Sequence, residues 1–172
     1  LAIALRAARD GANIAIAAKT AEPHPKLPGT VFTAAKEIED AGGKALPIVC
    51  DIRHEEQVLE AVKQTIEKFG GIDICVNNAS AISLTPTLQT PMKRFDLMFG
   101  VNVRATFATT QAALPHLEAA GGGAIVNVSS IGAFRYLAPA SMAYQASKAG
   151  VVGLTLSLAG QLAGRRIRVN CV

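Results

Sequence analysis

The chain has 172 residues, half of them hydrophobic and only 17% charged, which supplies one well-packed core and argues against intrinsic disorder. The net charge of +4 is modest and aromatics make up 5%, and no basic stripe interleaved with aromatics stands out, so nucleic-acid binding finds no support. Cys50, Cys75 and Cys171 are far apart, with no CxxC or metal-ligand pattern, and read as buried thiols of a reducing compartment. No apolar run approaches the roughly eighteen residues of a membrane span, and no charged n-region precedes a signal-like core. An intracellular protein without a membrane span is expected, cytoplasmic by default, with peroxisome or mitochondrion as alternatives.

The chain opens on Leu rather than Met, in the middle of an amphipathic pattern, and closes on an apolar run with no following element. A fragment incomplete at both ends is therefore expected. Residues 1–10 alternate apolar and basic at helical spacing, with Ile3, Leu5 and Ala8 facing inward, and Gly11 ends the helix. Residues 13–18 form a short apolar strand. A loop with three prolines and His24 over 21–29 leads to an amphipathic helix at 30–41 and a strand at 44–50. Residues 54–69 carry Val58, Val62, Ile66 and Phe69 on one face of a surface helix. Residues 72–76 are nearly continuous in apolar character, as a central parallel strand should be.

Asn77 and Asn78 follow that strand directly. Asparagine is expensive to bury unless fully hydrogen-bonded, so the pair is expected to tie neighbouring strands together beside a ligand crevice. Residues 91–116 read as one long helix, with Pro91 in its first turn and Asn102 inside it among apolar neighbours. After Gly121 to Gly123 comes a β-rich run, 124–128, then Ser129 and Ser130. A helix over 141–163 and a strand over 167–172 complete the chain. Strands alternating with helices imply an α/β fold with a doubly wound parallel sheet, helices on both faces, forming a single Rossmann-like domain over 1–172. The crevice beyond the strand carboxyl ends is then the site.

The stretch 124–150 carries the chemistry. Tyr144 lies fourteen residues after Ser130, and Lys148 is four further on, so phenol and ammonium share one helical face. A phenol titrates near pH 10, and an adjacent ammonium favours the phenolate, which fits Tyr144 for general acid–base work. A strand-end hydroxyl, Ser130, would hydrogen-bond a substrate oxygen and hold it against the phenol. A core tyrosine with a solvated lysine is the plain alternative, weakened by the Ser pair.

The motifs Asn77-Asn78-Ala79, Asn102, Asn127-Val128-Ser129-Ser130 and Tyr144-x3-Lys148 resemble those of the short-chain dehydrogenases/reductases, over essentially the whole chain. The resemblance implies hydride transfer between a nicotinamide cofactor and a carbonyl or secondary alcohol. It implies that Ser130 orients the oxygen, Tyr144 passes the proton, Lys148 tunes the tyrosine and bonds the ribose, and Asn102 bends its helix and holds a relay water. It places Asp51, with Ile52, against the adenine, where a helix N-cap is the alternative for Asp51, and Asn77 and Ala79 beside the nicotinamide ribose. An NAD-preferring fold of this kind puts an acid after the second strand of the unit; this chain has Lys19. A cation suits a 2′-phosphate, favouring NADP(H) over NAD(H), with a solvated strand-end lysine as the alternative. A homodimer or homotetramer through the helices 91–116 and 141–163 is also implied.

Two positions depart from the family pattern. The family motif usually reads Asn-Asn-Ala-Gly, where this chain has Ser80, and the Tyr usually follows the Ser by thirteen residues rather than fourteen; Ser141 is the fallback hydroxyl. Rival readings are an epimerase or dehydratase on the same fold and a catalytically silent binding or assembly module.

Overall fold

The computed structural model describes residues 1–24, 29–138 and 141–172. Parts of the loop expected over 21–29 and of the connection between Ser130 and the helix expected over 141–163 thus lie outside the described residues. The chain divides into two compact units, Leu1–Gly70 and Gly71–Val172.

The first unit runs α1 (Ala2–Arg9), β1 (Asn13–Ala18), α2 (Val31–Asp40), β2 (Lys44–Val49) and α3 (Glu55–Phe69). β1 and β2 pair in parallel, in register from Asn13 against Lys44 to Ala18 against Val49. Pro47 lies in β2, at the edge of this two-stranded sheet, where a residue without an N–H is tolerated. Thr30 starts α2 with a reciprocal cap: the Thr33 amide donates to the Thr30 hydroxyl at 3.1 Å and the Thr30 amide to the Thr33 hydroxyl at 2.7 Å, satisfying donors that the first helical turn leaves unpaired. Ala8, Ala35, Ile38 and Ala45 form the core, with Ala4, Leu5, Ile14 and Ile16 packed against it. Ile3, expected to face inward, is 53% exposed, because α1 packs through the stripe Ala4, Leu5 and Ala8, off which Ile3 falls.

The second unit runs β3 (Ile74–Asn77), α4 (Met92–Phe99), α5 (Ala105–Ala119), β4 (Gly123–Asn127), α6 (Met142–Leu162) and β5 (Ile167–Cys171). Its three strands are parallel in the order β3-β4-β5, and Asn77, Asn127 and Cys171 stand abreast at their carboxyl ends. Gly123 opens β4 because a Cβ there would run into the Asp73 carbonyl oxygen and the Leu117 side chain. Cys75, Ala113, Leu117, Ile125, Leu158 and Val169 belong to the core between this sheet and helices α5 and α6. Of the three cysteines expected to be buried, Cys50 and Cys75 are, while Cys171 is only half-buried. Burial pushes the Cys75 thiol up to about 11, an inert thiol rather than a nucleophile.

The long helix expected over 91–116 is present as α4 and α5, which join without leaving helical conformation. A π-helical turn, Gly100–Arg104, separates α4 from α5, and α5 continues through Pro115 to Ala119. A widened turn of this kind redirects a side chain that regular helical spacing would not aim, and the residue at its centre is Asn102.

Candidate active site

The end of β4 and the start of α6 are tied together by two bonds. The Lys148 Nζ donates to the Val128 carbonyl at 2.8 Å, and the Ser129 hydroxyl donates to the Lys148 carbonyl at 3.0 Å. Lys148 is 2% exposed, and burial lowers its pKa from that of a free ammonium. An ammonium has three donors and Val128 takes one; among the described residues no carboxylate pairs with it. Its Nζ stands 5.9 Å from the centroid of the Tyr144 ring, one helical turn away. Tyr144 is half-buried.

Ser130 is half-buried and caps the short helical turn Ile131–Ala133, where its Oγ accepts from the Gly132 amide at 3.1 Å. That bond uses a lone pair and leaves the hydroxyl proton to donate. Ser141, the fallback hydroxyl, is 2% exposed and accepts from the Gln145 amide group at 3.0 Å.

Beneath this pair runs a buried polar ladder across the sheet. Asn77 Nδ2 donates to Asn127 Oδ1 at 2.9 Å and to Thr110 Oγ1 at 3.2 Å; Asn127 Nδ2 donates to Thr155 Oγ1 at 2.9 Å. β3, β4, α5 and α6 are thereby linked through side chains from Asn77 to Thr155. Asn127, fully buried, is the key member, and sequence reasoning gave it no task. The signal was its register: it follows its strand's last apolar residue just as Asn77 does. Thr110 and Thr155 lie too far away in sequence for spacing to reveal them.

Asn102 is 1% exposed and reaches out of its wide turn in two directions. Its Nδ2 donates to the Ala81 carbonyl at 2.9 Å and to the Ser147 hydroxyl at 2.8 Å; its Oδ1 accepts from the Ala81 amide at 2.8 Å and the Ser80 hydroxyl at 3.1 Å. Ser147 in turn donates to the Tyr144 carbonyl at 2.7 Å. The Asn102 main-chain carbonyl accepts from the Thr106 hydroxyl at 2.8 Å. Neither Ser80 nor Ser147 was assigned a role from sequence.

The second unit therefore brings Asn77, Asn102, Ser130, Tyr144 and Lys148 to the β3 and β4 carboxyl ends and the helices beside them, with Ala79 exposed on the loop leaving β3. Lys19, Asp51 and Ile52 belong to the first unit. Lys19 follows β1 directly and is exposed; Asp51 and Ile52 follow β2 and are half-buried. Asp51 is not the N-cap of α3, a place taken by His54. It accepts instead from the Arg53 backbone amide at 3.1 Å and from the Arg53 Nε at 2.9 Å, an Asx-type turn closed by a guanidinium. Those Arg53 bonds hold the Asp51 carboxyl down to about 2.

The family described as short chain dehydrogenase matches residues 1–172. Hydroxysteroid dehydrogenase-like protein 2 of Danio rerio is 64% identical over 128 residues, which are 74% of this chain and 31% of that protein. A short chain dehydrogenase of Mycobacterium thermoresistibile has a similar crystal structure, with a TM-score of 0.90 at 50% identity, covering 99% of this chain and 61% of that one. A metagenomic short-chain oxidoreductase in complex with NADP gives a TM-score of 0.88 at 29% identity, covering 99% and 74%. Parallel strands with helices, and these likenesses, define a Rossmann-like α/β fold of the oxidoreductase class. Within that class the chain belongs to the short chain dehydrogenase family, and it spans about a third of the length of the curated relatives it matches.

Proposed function

We propose that residues 1–172 serve as a single dinucleotide-binding domain of an enzyme that moves a hydride between NADP(H), ahead of NAD(H), and a carbonyl or secondary alcohol substrate. The observation that carries this reading is Lys148: a buried ammonium with a neutral carbonyl as its partner, one turn from a tyrosine and beside a strand-end serine. Holding a charge out of water without a counter-charge is costly, and the arrangement makes sense where a ligand completes the shell. A ribose diol fits, because it offers acceptors to the two spare N–H groups. The nicotinamide ring supplies or accepts the hydride when bound.

In this reading the Ser130 O–H donates to the substrate oxygen and holds it toward the Tyr144 phenol. Tyr144 gives or takes the proton at its Oη. Lys148 stands one helical turn from the phenol, its Nζ 5.9 Å from the ring centroid, and would bond the ribose. Asn102 completes the site, and because its side chain is taken up by protein atoms it acts by position, and a relay water would share its main-chain carbonyl with the Thr106 hydroxyl. Lys19 would meet the adenosine 2′-phosphate, Asp51 and Ile52 the adenine, and Asn77 and Ala79 the nicotinamide ribose.

Titration of the protein at its full natural length with NADPH and NADH, followed by nicotinamide fluorescence, tests the cofactor. Assay against a panel of ketones and secondary alcohols tests the chemistry. Tyr144→Phe should lower turnover by about 10²- to 10⁴-fold, the worth of a positioned acid or base, with cofactor binding nearly intact. Lys148→Ala should impair both. Retention of more than a few per cent of activity in Tyr144→Phe would remove the tyrosine from its role.

A homodimer or homotetramer is part of the same proposal. Met98, Leu117, Val151 and Leu158 of these helices are covered within the chain, but Leu156 is 70% and Phe107 48% exposed, and Leu156 lies on α6 among exposed Ala149, Gly153 and Gly160. Small residues around an apolar knob let a second helix approach closely. Light scattering at micromolar concentration should give at least twice the monomer mass; a monomer mass would rule this out.

A further inference from the structure

We propose that Ser80 is a positioning residue: its hydroxyl takes the last lone pair of the Asn102 amide and so locks the loop leaving β3 to the helix that carries Tyr144 and Lys148. The inference rests on the oxidoreductase reading above and assigns a task to a residue at which this chain departs from the family motif.

The case begins with the capacity of one side chain. An asparagine amide offers two N–H donors and two acceptor lone pairs. In Asn102 all four are met by protein: Ala81 O at 2.9 Å and Ser147 Oγ at 2.8 Å on the nitrogen, Ala81 N at 2.8 Å and Ser80 Oγ at 3.1 Å on the oxygen. Three of these bonds go to two consecutive residues of one loop. The Ala81 pair alone would leave that loop free to pivot about a single residue, and the Ser80 hydroxyl adds a second point of attachment. With glycine at position 80 the fourth capacity would be open to water.

The loop it holds is long. It runs from the end of β3 at Asn77 to the start of α4 at Met92, with only the short turn Thr87–Gln89 inside it, and connections of such length are uncommon without a functional reason. Its first residues, Asn78 and Ala79, are exposed, and on the proposed reading Ala79 borders the nicotinamide ribose. On the other side of Asn102, Ser147 accepts from Nδ2 and donates to the Tyr144 carbonyl at 2.7 Å. A directional chain results: Ser80 O–H to Asn102, Asn102 N–H to Ser147, Ser147 O–H to the Tyr144 main chain. Each link polarises the next. The surface that meets the cofactor and the helix that bears the proton donor are thus set against each other by one buried amide.

Ser80 is itself exposed and Asn102 Oδ1 still accepts from the Ala81 amide, so removing the hydroxyl leaves no buried atom without a partner and costs the fold little. What is lost is the direct link, which separates a positioning role from a merely structural one. The test uses the protein at its full natural length, with hydrogen–deuterium exchange at the Ala81 amide and the NADPH dissociation constant from fluorescence. Ser80→Ala should accelerate Ala81 exchange and weaken NADPH binding, each by about three- to tenfold, the range of one neutral hydrogen bond, with the thermal midpoint nearly unchanged. Ser80→Thr, which keeps the hydroxyl, should return both toward the wild type. Unchanged exchange in Ser80→Ala overturns the lock. Faster exchange with unaltered NADPH affinity, or Ala and Thr variants that behave alike, overturns the positioning role. If the wild type binds neither NADPH nor NADH, the oxidoreductase reading fails and this inference with it; if the wild type binds and Ser80→Ala binds equally well, only this inference falls.

Discussion

The first unit is held by apolar side chains, Ala8, Ala35, Ile38 and Ala45, and keeps its charges outside in pairs such as Lys36–Asp40 and Arg6–Asp10. The second unit has an apolar core of similar kind but also buries Asn102, Asn127, Ser129, Ser147, Lys148 and Thr155; among the described residues the one buried polar side chain of the first unit is Thr30. Buried polar groups cost free energy unless each is bonded, and among the described residues no buried side-chain polar atom lacks a partner. A fold that needed only stability would not require so many of them. The difference shows where geometry has been held to a tolerance tighter than packing demands: at the carboxyl ends of β3 and β4 and along the facing turn of α6.

If that comparison is right, the two units should respond differently to mild substitutions. Asn127→Ala removes the acceptor of Asn77 and the donor to Thr155 inside a closed interior, and should cost about 2–4 kcal/mol from two lost bonds and a small void. Ile38→Val, at an equally buried site of the first unit, should cost about 0.5–1.5 kcal/mol. Urea unfolding of both variants measures the contrast. Equal costs would mean that the polar ladder is no more demanding than ordinary core.

A smaller effect sharpens the comparison from the ligand's side. In the first unit, function is assigned to strand ends rather than to buried networks, so its residues should change affinity without touching the fold. Lys19→Asp should move the preference from NADPH toward NADH by about 1–3 kcal/mol, the scale of a charge-assisted contact, with the urea midpoint unaltered. The ratio of the two dissociation constants is the readout, and an unchanged ratio would make Lys19 a solvated strand-end residue.

The alternation of strands and helices, the parallel pairing and the strand-end placement of Ser130 were legible because hydrophobic period and turn residues are local. Tyr144 and Lys148 were legible because four residues make one turn. What was not legible depends on contacts between distant segments. The π-helical turn within the helix over 91–116 was expected only as a bend implied by the resemblance, because the partners of Asn102, Ala81 and Ser147, lie 21 and 45 residues away, beyond what local spacing reveals. The polar ladder was half visible, since Asn77 announced itself as a costly residue, but its partners lie 33 and 50 residues away. For Asp51 the N-cap alternative missed Arg53, because the competing guanidinium lies two residues on, where helical spacing does not look.

That Arg53 pair gives the smallest effect, and it belongs to the exposed chemistry of the first unit. The Asp51 carboxyl is held at about 2 against an ordinary 3.8, first by its hydrogen bond with the Arg53 side chain. A carboxyl depressed in the folded state contributes stability that is present above its unfolded value, here from about pH 4 upward, and lost as pH falls through the folded value near 2. The Arg53 side chain is 44% exposed, so solvent and salt screen the pair and its contribution is small. Arg53→Ala should therefore lower the urea-derived stability at pH 7 only slightly and flatten its fall between pH 4 and pH 2. A loss well beyond that at pH 7 would mean that Arg53 supports the fold through contacts other than Asp51, and the first unit would then share the second unit's dependence on polar placement.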